Sequence, residues 1–288
     1  MALIDTDTVN ASTFIPTLWS RLTADAREEN LVMANTFDRR YEAEAGKQPY
    51  NTINIQSVPN LTVGATLGVG GTLTHTEASM NARVVLSIDT HAYRSFDLEV
   101  ELEQLSNVDL MAKLTHKAGY AVSLRIDDDA AGMVDDFATN LVGTLAVPLT
   151  YDDVVQGWRL LEEALAPQGN RWFVMHPTQA GEFYKEERFI NQLYGKTIGG
   201  MDGKSLRDSV AVNIFGLKWV SSGNVEGTNA AGHDNGIYHS EAVALAIVDN
   251  MRMEKQYELD TDSTKVAVHA LYGMIEVRDD HGVYMRGS

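Results

Sequence analysis

Over residues 105–141 apolar side chains recur every third or fourth position, the longest stretch of helical periodicity in the chain. Leu110, Leu114, Ala118, Ala121 and Leu124 form an apolar stripe, widened by Val108, Met111, Val122 and Ile126. Asp109, Lys113, His116, Tyr120, Ser123 and Asp127 form the polar stripe, and Asp109 and Lys113 stand at the favourable i, i+4 spacing for an ion pair. The pattern resumes through Ala131, Val134, Phe137 and Leu141. A continuous helix of that length would run roughly 50 Å, which suits a spine better than a compact catalytic domain.

The flanking segments have a different period. Thr52-Ile-Asn-Ile-Gln-Ser-Val, Ala82-Arg-Val-Val-Leu-Ser-Ile and Phe96-Asp-Leu-Glu-Val-Glu-Leu alternate apolar and polar residues, as half-buried strands do. Between the first two lies a glycine-rich stretch with Gly64, Gly68, Gly70 and Gly71 among Leu61, Val63, Leu67 and Val69. The expected shape is a long two-stranded excursion with a glycine-rich tip, and an isolated hairpin of that length is marginal in water. Upstream, Pro16 leads into helical spacing at Leu18, Leu22 and Ala26, followed by Leu31, Met33 and Ala34.

Downstream of Pro148 the periods alternate, as in a compact α/β unit. Thr150 is the expected N-cap of a helix carrying Asp152 and Asp153 in its first turn, with Val154, Trp158, Leu161 and Leu165 on one face. Arg171-Trp-Phe-Val-Met-His reads as a strand stopped by Pro177, Thr178–Asn191 as a helix, Gly199, Gly200 and Gly203 as loop, and Val210–Val220 as strand. Residues 223–236, rich in Gly, Asn and Ser, read as loop, and Ile237–Met285 as mostly strand.

Charge and composition exclude several roles. Forty acidic residues against 23 basic ones give a net charge of −17, whereas tight nucleic-acid binding needs Lys and Arg to displace phosphate counterions. The chain has no cysteine, hence no disulfide framework and no thiolate metal site. No apolar run reaches the roughly 20 residues that span a bilayer, and no secretion signal opens the chain, so a soluble protein made in a reducing cytoplasm is expected.

Each candidate for chemistry is outweighed by a plainer reading. Gly64-Ala-Thr-Leu-Gly-Val-Gly-Gly lacks the Lys-Ser/Thr pair and following helix of a phosphate loop. His233, Asp234, His239 and Asp249 match no metal-ligand spacing and read as loop residues, although a metal-dependent enzyme using the 226–240 loop stays open as a distant alternative. Asp127-Asp-Asp129 lacks the ligand spacing of a calcium loop and reads as a solvated helix face. There is no Gly-x-Ser-x-Gly elbow, and Ser221-Ser-Gly is too common a string to count as one. Asn60-Leu-Thr is a sequon without a secretion context. Trp158, Trp172 and Trp219 sit among core-patterned residues. No catalytic, cofactor or metal site is expected.

The order of parts resembles a known family. Thr13-Phe-Ile-Pro-Thr-Leu-Trp-Ser and Asn30-Leu-Val-Met-Ala-Asn are similar to the opening of podovirus-type coat proteins of tailed bacteriophages. Phe96-Asp-Leu-Glu-Val-Glu-Leu-Glu-Gln-Leu-Ser-Asn-Val-Asp-Leu, running on to Ala118-Gly-Tyr-Ala, resembles the approach to their spine helix. Arg171-Trp-Phe-Val-Met-His-Pro resembles their axial-domain strand-to-helix step, and Tyr238-His-Ser-Glu-Ala-Val-Ala-Leu with Leu271-Tyr-Gly-Met-Ile-Glu-Val-Arg their closing strands. The chain departs from that pattern at Arg278-Asp-Asp-His, where proline is expected after the arginine.

The resemblance implies an α+β, Hong Kong 97-type (HK97-like) capsid fold. Its expected parts are an N-terminal arm and helix (1–50), an extended loop with flanking strands (51–100) and a peripheral domain with the spine helix (101–147). An axial domain (148–225) and closing peripheral strands (226–288) complete it. It further implies self-assembly into pentamers and hexamers of an icosahedral virion head enclosing double-stranded DNA without sequence-specific binding. A separate scaffolding protein and a portal protein are the implied partners, with no membrane. Because arm and loop lack a core of their own, Phe14, Ile15, Leu61, Val63, Leu67, Val69, Gly70 and Gly71 are the expected assembly-interface residues. A cellular nanocompartment shell is the alternative that shares the fold.

Overall fold

The computed structural model describes residues 31–45, 51–57, 71–72, 83–101, 109–185, 213–228 and 231–287. The periodic stretch after residue 105 forms a helix, α2 (Leu110–Gly132), preceded by a short α1 (Glu42–Ala45). Asp109 caps α2 by accepting the Ala112 N–H. At about 1.5 Å per residue α2 is about 35 Å long, shorter than the sequence pattern suggests. Val134 and Phe137 are buried core residues beyond its end, and Leu141 begins a strand.

α2 lies against a three-stranded antiparallel sheet in the order β10 (Val243–Glu258), β11 (Ser263–Glu276), β3 (Thr90–Glu99). The i, i+4 face Ala118, Val122 and Ile126 packs on Val268, Ala270 and Tyr272 of β11, with Ala92 and Phe96 of β3 completing the layer. The expected apolar stripe is therefore rotated: Ala118 and Val122 are buried, whereas Leu114 is exposed.

A second sheet of seven strands runs in the order β4 (Leu141–Gly143), β12 (Gly282–Gly287), β9 (Gly232–His239), β5 (Arg171–Met175), β7 (Leu217–Ser221), β6 (Asn213–Ile214). In addition, β8 (Gly227–Thr228) pairs with β9. Strand alternation buries both faces. Phe173, Met175, Ile237, Val283 and Met285 point to one side, under α3 (Tyr151–Glu163) and α4 (Pro177–Phe183). Val174, Tyr238 and Tyr284 point to the other, against Ala130, Ala131, Val134 and Phe137 and against Met33 and Phe37. The end of α2 thus joins the two sheets into one body.

Local chemistry sets the boundaries. Thr150 caps α3 in a reciprocal box with Asp153, as its position predicts. Leu165, expected on the apolar face, instead adopts φ +57 and is 81% exposed, because α3 ends at Glu163, four residues before Pro167. The buried Arg171 guanidinium donates to Pro167 O at 2.8 Å and Ala166 O at 2.5 Å, and pairs with Glu162 at 2.6 Å. It thereby satisfies the carbonyls where α3 ends. Pro177 opens α4, whose helical run ends at Phe183; residues 186–191 of the predicted helix lie outside the described residues.

Several expectations are corrected. The Gly/Asn-rich segment 223–236 is not a loop throughout: β8 and most of β9 occupy it, and β9 is a buried central strand. Gly236 is required there, since a Cβ would stand 2.5 Å from Val134 Cγ1. The predicted strand 210–220 contains a turn at Phe215-Gly216, both at positive φ. Met33–Asn35 is a single 3-10 turn, and residues 16–30 lie outside the described ones. Arg278-Asp-Asp-His makes a 3-10 turn at Asp279–His281 that leads into β12.

Candidate assembly surfaces

The pair β1 (Thr52–Gln56) and β2 (Arg83–Ser87) is antiparallel in the register Thr52↔Ser87 to Gln56↔Arg83. Its base is anchored. Ile55, Leu86 and Ile88 pack on Ala45, Ala244 and Ala246. The backbone crosses β11 at Gly273, where a Cβ would meet Ser87 O at 2.0 Å. Of the expected interface residues, Gly71 is exposed; Phe14, Ile15, Leu61, Val63, Leu67, Val69 and Gly70 lie outside the described residues.

A surface that sequence reasoning missed lies on the outer half of β10. Val243–Ala246 are buried, but residues 251–257 of the same strand are exposed throughout. Met253 faces the same side as Val268, and Tyr257 the same side as Thr264, the side on which α2 packs. α2 covers β11 and β3 and touches β10 at Met251, whose Sδ lies 4.0 Å from Ser123 Oγ. Beyond that contact Met253 (55% exposed) and Tyr257 on β10, with Leu259 (83% exposed) in the turn that follows, form an exposed apolar row. The signal was present as the alternation Met251-Arg-Met-Glu-Lys-Gln-Tyr, but alternation does not say what covers the apolar side.

Acidic groups gather where α2 ends. Asp89, Asp128, Asp129, Asp136 and Glu226, with Arg125, line an open groove of about 580 Å³. Burial raises the Glu226 and Asp135 carboxyls, with Asp234 adding repulsion to both. Near the end of β11, burial and then repulsion by Asp279 push Glu276 up to about 7. The expected solvated face Asp127-Asp-Asp129 is corrected in two of its three residues. Asp127 is buried and accepts from Ala34 N at 3.1 Å and Asn224 Nδ2 at 2.8 Å, while Asp129 engages Arg125 and the Tyr272 hydroxyl.

The alternative metal centre in the 226–240 loop fails on geometry. His233 and His239 lie six residues apart on one extended strand, about 20 Å at 3.3 Å per residue, too far to share an ion. His233 stacks on His176 at 3.5 Å between ring centroids, and His239 meets His281 edge to face at 6.3 Å. Burial lowers the pKa of His176, His239 and His281. Asp249 sits on β10 opposite Leu271. The tryptophans pack as expected: Trp219 on Phe173 at 4.8 Å, Trp158 on Phe215 at 6.0 Å, and Trp172 with its Nε1 donating to Ser240 Oγ at 3.0 Å.

Comparison with known proteins is informative at two levels. Solved structures share this fold over nearly the whole chain. A chain from Mycobacterium phage Che8 superposes with a TM-score of 0.80 at 23% identity, covering 94% of this chain and 97% of the other. A chain from the capsid of cyanophage P-SCSP1u gives 0.77 at 13% identity, covering 99% and 97%. One from the capsid of an empty GTA particle gives 0.68 at 12%, covering all of both chains. A search of curated protein sequences found no match. The family described as phage capsid protein matches residues 83–285. The chain belongs to the phage capsid protein family: it is a capsid protein of the Hong Kong 97-type fold, a structural protein and not an enzyme.

Proposed function

We propose that this chain is the major coat subunit of a tailed phage, assembling as hexamers and pentamers into an icosahedral head around double-stranded DNA. The observation that carries the reading is the exposed apolar row of Met253, Tyr257 and Leu259 at the outer end of β10. Such surfaces are stable in water when another copy covers them. The likeness to chains taken from assembled capsids of a cyanophage and a GTA particle supports the same reading. The net charge of −17 supports a wall to which packaged DNA does not stick.

In this reading the arm (1–50) and extended loop (51–100) reach across neighbours through Phe14, Ile15, Leu61, Val63, Leu67, Val69, Gly70 and Gly71. The 101–147 and 226–288 segments supply the peripheral body, and the 148–225 segment meets its copies around the five-fold and six-fold axes. A scaffolding protein and a portal protein assist assembly in the host cytoplasm. Co-expression with the scaffolding and portal genes, followed by negative-stain electron microscopy, tests the proposal. Closed shells or capsomer rings are expected; a persistently monomeric, compact particle under assembly conditions counts against it.

A further inference from the structure

We propose that His91 and His269 form a two-histidine site for a borderline divalent transition-metal ion (Zn²⁺, Ni²⁺ or Cu²⁺) that clips β3 to β11. His91 lies opposite Leu271, and His269 opposite Tyr93, so the two histidines are diagonal neighbours across adjacent strands. Both project from the face away from α2, because Val268, Ala270 and Tyr272 occupy the other face of β11. His91 and Tyr93 are exposed, Tyr93 at 66%, so an ion reaches the pair from solvent.

The nitrogens converge. His91 Nε2 and His269 Nδ1 are 3.2 Å apart, with ring centroids 5.2 Å apart. Two metal–nitrogen bonds of about 2.05 Å span that gap at about 103°, between the octahedral and tetrahedral ligand angles. Without an ion the two rings share one hydrogen bond, one as donor and the other as acceptor. Imidazole pairs favour Zn²⁺, Ni²⁺ and Cu²⁺ over Mg²⁺ and Ca²⁺, and water completes the coordination.

The surrounding charge suits a cation. Arg252 is the register partner of His269, but it is held by Asp249 at 3.5 Å and Glu254 at 3.1 Å, two carboxylates for one guanidinium. The other close histidine pairs lack this geometry. His176 and His233 stack at an interplanar angle of 11° with His176 Nδ1 engaged by Thr178. His239 Nδ1 accepts the Glu241 N–H, and its ring is perpendicular to that of His281.

The test uses the purified full-length chain, titrated with Cu²⁺ under electron paramagnetic resonance and with Zn²⁺ under calorimetry. One saturable ion per chain is expected, with coupling to two imidazole nitrogens and an upward shift of a few degrees in the melting midpoint. His91→Gln and His269→Gln each weaken binding at least tenfold, reduce the coupling to one nitrogen and abolish the thermal shift; His176→Gln changes none of these. Wild-type spectra with oxygen-only or single-nitrogen coordination overturn the proposal whatever the variants do. So does binding that both glutamine variants leave intact.

Discussion

Asp127 receives hydrogen bonds from two segments remote in sequence, the Ala34 N–H and the Asn224 side chain, at a fully buried point on α2. Hydrogen bonds to a charged group contribute about 1.5–3 kcal/mol each, and removing the acceptor leaves the half-buried Ala34 N–H unsatisfied. Asp127→Ala should therefore destabilise the unassembled subunit by about 3 kcal/mol, read as a lower urea midpoint at unchanged m. Gly273→Ala places a methyl against Ser87 O and should cost about 1–3 kcal/mol by the same measurement, through displacement of the hairpin base. Glu276 gives a pH dependence. Its folded pKa of about 7 stands above the ordinary 4.5, so the folded state holds the proton more tightly than the unfolded chain. Subunit stability should fall as pH rises from about 4.5 to 7. Glu276→Gln should flatten that window and raise stability at pH 8, as denaturation at several pH values will show.

Elements differ in how they finish their burial. α2 and the seven-stranded sheet are covered within the subunit, whereas β10 is buried over its first half and bare over its second. Burying a large apolar side chain contributes roughly 1.5–3 kcal/mol, and each 1.4 kcal/mol is tenfold in association. Combining Met253→Ser, Tyr257→Ser and Leu259→Ser should leave the subunit folded by circular dichroism yet raise the concentration needed for assembly at least tenfold by light scattering. In the proposed reading the glycine-rich stretch at Gly70 and Gly71 must bend on assembly. Replacing Gly70 and Gly71 with Val should leave a folded subunit that forms few closed shells in electron micrographs.

At the scale of the whole molecule, the two helices with strong periodicity or caps were legible in the sequence, as were the strands around Arg171 and along Ala242–Val277. Each is governed by interactions within a few residues, such as the Thr150–Asp153 box. What escaped was decided at a distance. β9 looked like loop because its Gly and Asn residues suit a central strand only where Val134 crowds Gly236 and where Asn235 accepts the His176 N–H. Asp127 looked solvated because spacing alone does not reveal Ala34 and Asn224. The bare side of β10 went unread because alternation predicts an apolar face and not its cover. The order of motifs carried the family, while the surfaces by which copies meet needed three dimensions.

A cryo-electron microscopy reconstruction of assembled particles tests the central claim most directly. Met253, Tyr257 and Leu259 on one surface, and Leu61, Val63, Leu67 and Val69 on another, should lie under side chains of neighbouring subunits. A shell in which both surfaces face open solvent, held together through other contacts, would contradict it.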